Sequence, residues 1–254
     1  MNTAWAVVLA SALQSPAPAP APPAPEPVVT HEAPVWTDDR PITRIFHNLG
    51  RDVMALPSLS TAVILGSGGA ATFTARSVDT DLRTWAADAG SSSYSDIGRV
   101  LGDAWIQGSA ALFTYGVGKL HGNAEAIHIG GDLIRVQGLN AILTTTVKMA
   151  ASRSRPNGGR HAFPSGHTSA VFASAAVLHG HYGWKAALPA YAFSSFIGWT
   201  RVRDRSHWLS DIVFGGTIGI IAGHTVTSSH KRQSWVAVPT ATKDSAAIYF
   251  VRTR

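Results

Sequence analysis

Residues 123–151 read NAEAIHIGGDLIRVQGLNAILTTTVKMAA, and this stretch decides the fold. Asn123 carries the side-chain oxygen of a good N-cap, and the run behind it continues to Ala151 as one helix. Asp132 and Arg135 fall near its middle. Two charges there are costly in lipid unless both face the interior of a bundle. The stretch therefore asks for other helices packed around it.

The flanking sequence supplies them. Val53–Ala75 is a charge-free run containing Pro57 and the glycines from Gly66 to Gly69. Asp79 or Thr80 is placed to cap a short helix through Trp85, and Ser95-Asp96 to start another through Lys119. Helices are expected from about Ser165 to Tyr182, Trp184 to Val202 and Ser206 to Ser228. No alternating strand pattern interrupts this region. The expectation is an all-α bundle of about six main helices over residues 38–230. After Lys231-Arg232, Trp235–Val238 and Ala246–Val251 have strand character and are expected to pair as a small C-terminal β-hairpin within a tail of 231–254.

The N-terminus is organised differently. Ala4–Leu13 is a short apolar run, and Ala10-Ser11-Ala12 within it offers a small-x-small cleavage pattern. Residues 1–15 thus read as a signal peptide or a short apolar anchor, too short to cross a bilayer comfortably. Residues 16–37, rich in Pro and Ala, read as an extended polyproline linker or a disordered mature terminus. The placement expected is exported: periplasmic or membrane-associated, with the working site outside the cytoplasm. A polytopic membrane protein is the rival reading.

The chain has 254 residues, a formal net charge of +6 with eleven histidines counted neutral, and no cysteine. Disulfides and thiolate metal sites are thereby excluded. The positive balance favours anionic partners, either phosphorylated metabolites or a membrane surface. Nucleic acid is not expected, because no long Lys/Arg cluster or base-stacking motif is present.

Three short stretches carry chemistry. The first runs from Lys148 to Arg155-Pro156, the second is Pro164-Ser165-Gly166-His167, and the third is Thr200-Arg201 followed by His207 and Asp211. With Ser206 as N-cap, His207 enters the first turn of a helix and Asp211 lies four residues on, on the same face. A carboxylate there can accept the imidazole Nδ1–H and leave Nε2 free as a nucleophile. Alone, such a pair is more often structural. Ser165 and Gly166 open a helix whose amides can meet an anion, and His167 beside them can give a proton to a leaving oxygen. The bland reading is a plain loop-to-helix junction with an exposed histidine. Lys148, Arg155 and Arg201 are the cations, and guanidinium forks suit a phosphoryl group well. Arg160, Arg203 and Arg205 read as surface residues or a positive rim.

In order and spacing, Lys148…Arg155-Pro156, Pro164-Ser165-Gly166-His167 and Arg201…His207…Asp211 resemble the signature of the type 2 phosphatidic acid phosphatase superfamily. Bacterial acid phosphatases and vanadium-dependent haloperoxidases share it. Thr200 stands where that pattern has serine. The resemblance implies an all-α bundle and a phosphoryl transfer that needs no metal or cofactor. It implies His207 as nucleophile, Asp211 as its orienting partner and His167 as acid. Lys148, Arg155, Arg201, Ser165 and the Gly166 amide are implied to hold the phosphate. The substrate expected is a phosphorylated lipid or a small phosphomonoester or pyrophosphate. The alternatives are a haloperoxidase that uses vanadate in the same pocket and a non-catalytic phosphate- or lipid-binding protein.

Overall fold

In the computed structural model, residues 41–89 and 93–228 and two paired strands after them are described. The expected leader and linker lie outside the described residues. Among the described residues there are nine helices rather than six: α1 (Ile42–Ala55), α2 (Leu59–Arg76), α3 (Asp79–Asp88), α4 (Ser93–Leu101), α5 (Ala104–His121), α6 (Ala124–Ala151), α7 (Gly166–Tyr182), α8 (Trp184–Arg203) and α9 (Leu209–Ser228). The extra elements are α1, which lies mostly ahead of the Val53–Ala75 run, and a second helix within the stretch from Ser95 to Lys119 read as continuous. Pro57 separates α1 from α2, which bend by 70°. The Ser58 hydroxyl then accepts the Thr61 amide at 3.2 Å to start α2. Gly102-Asp103 separates α4 from α5, and Asp103 caps α5 by accepting the Trp105 amide at 2.8 Å.

Asn123 caps α6 as expected, accepting the Ala126 amide at 3.0 Å. Val136 and Leu139 of α6, Ala173 and Val177 of α7, and Ala222 and Val226 of α9 form one fully buried cluster. Each of the larger side chains there contributes roughly 1.5–3 kcal/mol by leaving water. Asp132 and Arg135 do face the interior. Arg135 Nη1 donates to Asp132 Oδ1 at 2.9 Å and Nε to Asp52 Oδ2 of α1 at 2.8 Å, while His181 Nε2 sits 2.9 Å from Asp132 Oδ2.

The contact between α7 and α9 positions the site. Gly215, Gly219 and Gly223 line the α9 face that meets α7. A Cβ at position 215 would come 2.6 Å from the Ser165 carbonyl oxygen, and side chains at 219 and 223 would strike Ser169 and Ala176. Small residues at this spacing let two helices approach backbone to backbone. The start of α7 is therefore seated against the start of α9, where the Ser165 amide donates to the Asp211 carbonyl at 3.0 Å.

Ser234–Ala241 (β1) pairs antiparallel with Ala246–Thr253 (β2). The strands extend a few residues beyond the expected hairpin.

Candidate active site

The third motif departs from its expected local structure. α9 begins at Leu209, so Ser206 is not its cap and His207 lies in the turn just before the helix. That turn is tied to the end of α8, since the Arg201 carbonyl accepts the amides of Ser206 at 3.1 Å and His207 at 3.3 Å. Asp211 reaches back instead, its Oδ2 accepting the Trp208 amide at 2.9 Å. This is the carboxylate half of a capping box. The same oxygen faces His207 Nδ1 at 3.6 Å, an ion-pair separation slightly too long for a hydrogen bond. His207 and Asp211 are both buried. Nδ1 has no hydrogen-bond partner, and it points at the carboxylate.

Behind Asp211 stands a residue that motif spacing did not single out. Arg153 Nη1 donates to Asp211 Oδ1 at 2.7 Å and to Ser210 Oγ at 2.7 Å, and Nη2 donates to Asp79 Oδ2 at 2.8 Å. Asp79 in turn accepts the Ser210 amide at 3.0 Å and its hydroxyl at 2.6 Å. Asp79 was expected as a helix cap. The preceding position, Val78, is the cap residue, and the Asp79 carboxylate is buried against α9. The Arg153 guanidinium also lies 5.1 Å from the Trp208 ring centre. The Asp211 carboxylate is thus fixed from α3, the 152–165 loop and α9 together.

Ser165 is the N-cap of α7, as the bland reading of that junction had it, but the histidine beside it is not exposed. Its Oγ accepts the Thr168 amide at 3.4 Å and the Thr168 hydroxyl at 3.0 Å. Both bonds use oxygen lone pairs and leave the Ser165 proton to donate elsewhere. The first-turn amides of Gly166 and His167 have no carbonyl of their own helix to reach. A Cβ at Gly166 would meet nothing nearer than Thr144 Cγ2 at 4.0 Å, so the protein itself leaves that space open. His167 is half-buried and its Nε2 is enclosed without a partner.

The cations surround these groups. Lys148 Nζ donates to the carbonyls of His161 at 2.8 Å and Pro164 at 2.7 Å, which anchors the end of α6 to the loop before α7. Burial first and the nearby Arg155 second bring its pKa down to about 8. Arg155 is turned by the Arg155–Gly158 bend, where the Gly158 amide donates to the Arg155 carbonyl at 3.0 Å. Its Nε holds the Arg160 carbonyl at 3.1 Å. Arg201 is buried, its Nη2 donating to the Ser95 carbonyl at 2.6 Å and pairing with Asp204 at 2.7 Å.

The fields of these groups overlap. Burial lowers the His207 pKa most strongly; Asp211 opposes this, and Lys148 and Arg155 lower it further. Burial brings His167 down to about 4, with Arg201 and His207 adding to the effect and Asp103 opposing it. All eight residues singled out from the sequence therefore come to the adjoining ends of α6, α7, α8 and α9. Arg153, Asp79 and Ser210 were missed. Arg153 stood inside the first motif, but its pairing with Asp79 spans 74 positions and leaves no periodic signal.

Residues 131–235 match the family described as the PAP2 superfamily. Over 80 residues, 30% of its length, the chain is 36% identical to the lipid A 1-phosphatase of Porphyromonas gingivalis and covers 18% of that protein. It thus spans under a fifth of that curated relative. The fold is similar to the crystal structure of a transmembrane PAP2-type phosphatidylglycerolphosphate phosphatase from Bacillus subtilis. That match has a TM-score of 0.52 at 15% identity, over 75% of this chain and 96% of the other.

Proposed function

We propose that this chain, which belongs to the PAP2 superfamily through residues 131–235, is a phosphatase that hydrolyses a phosphomonoester or pyrophosphate, carried by a lipid, through a phosphohistidine on His207. The observation that carries this reading is a pair of buried imidazole nitrogens without hydrogen-bond partners, Nδ1 of His207 and Nε2 of His167, among three cations.

His207 Nδ1 faces Asp211, so Nε2 is the nitrogen with a lone pair for phosphorus. As the N–P bond forms, the imidazole gains positive charge, and the 3.6 Å separation from Asp211 can close to a hydrogen bond. Cleavage of the P–O bond sends its electron pair to the leaving oxygen, which takes a proton from His167 Nε2. Water then attacks phosphorus, gives a proton back to His167 and releases phosphate and neutral His207. Lys148, Arg155, Arg201, the Ser165 hydroxyl and the Gly166 amide meet the charge spread over the remaining oxygens. The cations supply the electrostatic stabilisation that metal ions provide in other phosphatases, and the scheme is metal-independent.

Lipid character is supported by the substrates named in the two relatives and by this chain's own surface. Large apolar side chains stand out on α2 and α5, among them Leu59, Phe73, Trp105, Phe113 and Leu120. Apolar exposure on this scale suits a membrane environment. Among the described residues, α9 is long and apolar enough to cross a membrane, and α1 with α2 would be if taken as one bent span. The site is proposed to work at a membrane, outside the cytoplasm.

The test is phosphate release by purified full-length protein from lipid and soluble phosphates, with and without detergent and EDTA. Release from a lipid phosphate that persists in EDTA is expected. Activity restored only by a divalent metal would overturn the metal-free scheme, and no release from any ester would overturn the phosphatase reading.

A further inference from the structure

Beside the site lies a polar cavity of about 490 Å³ whose lining includes Arg83, Arg155, Asn157, Gly158, Arg205 and Trp208. No carboxylate lines it. Its three guanidinium groups come from separate elements: Arg83 from α3, Arg155 from the loop before α7, and Arg205 from the turn between α8 and α9. Two other arginines near the site are neutralised, Arg153 by Asp79 and Asp211, and Arg201 by Asp204. Among the described residues, neither Arg83 nor Arg205 has a carboxylate partner, and the Nε of Arg155 is engaged only by a backbone carbonyl.

The walls are fixed. Arg205 takes a left-handed conformation at φ 54°, costly for a residue with a Cβ, and its carbonyl accepts the Asn157 amide at 3.0 Å. That bond ties the α8–α9 turn to the Arg155–Gly158 bend. The Trp208 indole is held by its bond to the Ser154 carbonyl at 2.9 Å. Three like charges gathered without a counterion repel one another, and an anion with several oxygens relieves this. Arg83 and Trp208 also line the narrow cleft at His207, so the cavity adjoins the nucleophile.

We infer that this cavity is a second phosphate site, separate from the one at His207 and joined to it through Arg155. The inference rests on the proposed phosphatase reading for its use. Its occupant is a phosphate group, either a non-scissile phosphate of the substrate or free inorganic phosphate.

The experiment compares the full-length protein with its Arg83→Ala/Arg205→Ala double variant; both side chains are exposed and outside the core. Equilibrium binding of inorganic phosphate is expected to give two sites in the unaltered protein and one in the variant. Turnover of p-nitrophenyl phosphate by the single Arg205→Ala variant, whose side chain does not line the cleft at His207, should stay within about twofold. If the occupant is a substrate phosphate, KM for a diphosphate-bearing lipid rises roughly tenfold or more in the variant. If it is free phosphate, the inhibition constant for phosphate rises by that factor instead. One phosphate per chain in the unaltered protein, equal binding by both proteins, or equal loss on every substrate would overturn the site. Absence of turnover on all esters would sink the phosphatase reading, while the binding measurement would still decide the cavity.

Discussion

Arg153 Nη1 lies 2.7 Å from Asp211 Oδ1, and the other arm of the same guanidinium lies 2.8 Å from Asp79 Oδ2. One arginine thus fixes the carboxylate that faces His207 and joins it to a second carboxylate on α3. Groups that orient a site's own ligands typically matter by one to two orders of magnitude. Arg153→Ala is expected to lower kcat about 10–100-fold with little change in KM, and Arg153→Lys to recover part of it. Without the arginine, the Asp211 charge acts undiluted on His207 and raises its pKa, so the acidic limb of kcat/KM moves to higher pH. Steady-state kinetics across pH checks this. A variant with lower thermal stability but an unmoved pH profile would make Arg153 merely structural.

Two glycines separate packing from ligand approach. Gly166 is conformationally ordinary and has room for a methyl group, whereas a Cβ at Gly215 meets the Ser165 carbonyl at 2.6 Å. Gly166→Ala should leave stability within about 1 kcal/mol or raise it, given alanine's helix propensity. It should still reduce kcat/KM by roughly tenfold or more, by crowding the phosphate. Gly215→Ala should destabilise by about 1–3 kcal/mol through overpacking. Chemical denaturation beside kinetics distinguishes them; equal stability losses at both positions would contradict this division.

The pH profile follows from the lowered values. His167, at about 4, is neutral in the free protein near pH 7, so in the proposed mechanism its proton arrives with substrate bound as the monoanion. A phosphate monoester loses that second proton near pH 6. Hence kcat/KM should fall from about pH 6 upward. It should fall more steeply above about 8, where Lys148 loses its charge. The bound anion raises the His167 pKa, so the alkaline limb of kcat should lie higher than that of kcat/KM. Lys148→Arg keeps its charge throughout and should abolish the upper break. Superimposable profiles for the two proteins would exclude Lys148 as its source.

Much of this was legible in the sequence where local chemistry decides the outcome. Asn123 caps α6, Ser165 caps α7, and the order of the three motifs brings Lys148, Ser165 and His207 to adjoining helix ends. The misreadings arose where tertiary contacts override local signals. Ser206 has the side chain of a cap, yet its amide is drawn to the Arg201 carbonyl and α9 starts three residues later. Asp79 looked like a cap because its partners, Arg153 and Ser210, are remote in the chain. The glycines of α9 showed small residues but not which helix they admit. The Ser165 carbonyl against Gly215 answers that only in three dimensions.

The proposed mechanism requires that phosphorus be bonded to His207 during turnover. Rapid quenching of the protein with a phosphate-labelled substrate, followed by digestion under alkaline conditions that spare phosphohistidine and mapping of the label, tests it directly. Label is expected on His207, removed by His207→Ala and accumulating in His167→Ala when a good leaving group bypasses the need for the acid. Turnover that proceeds with no label on the protein, or that survives in His207→Ala, would contradict it.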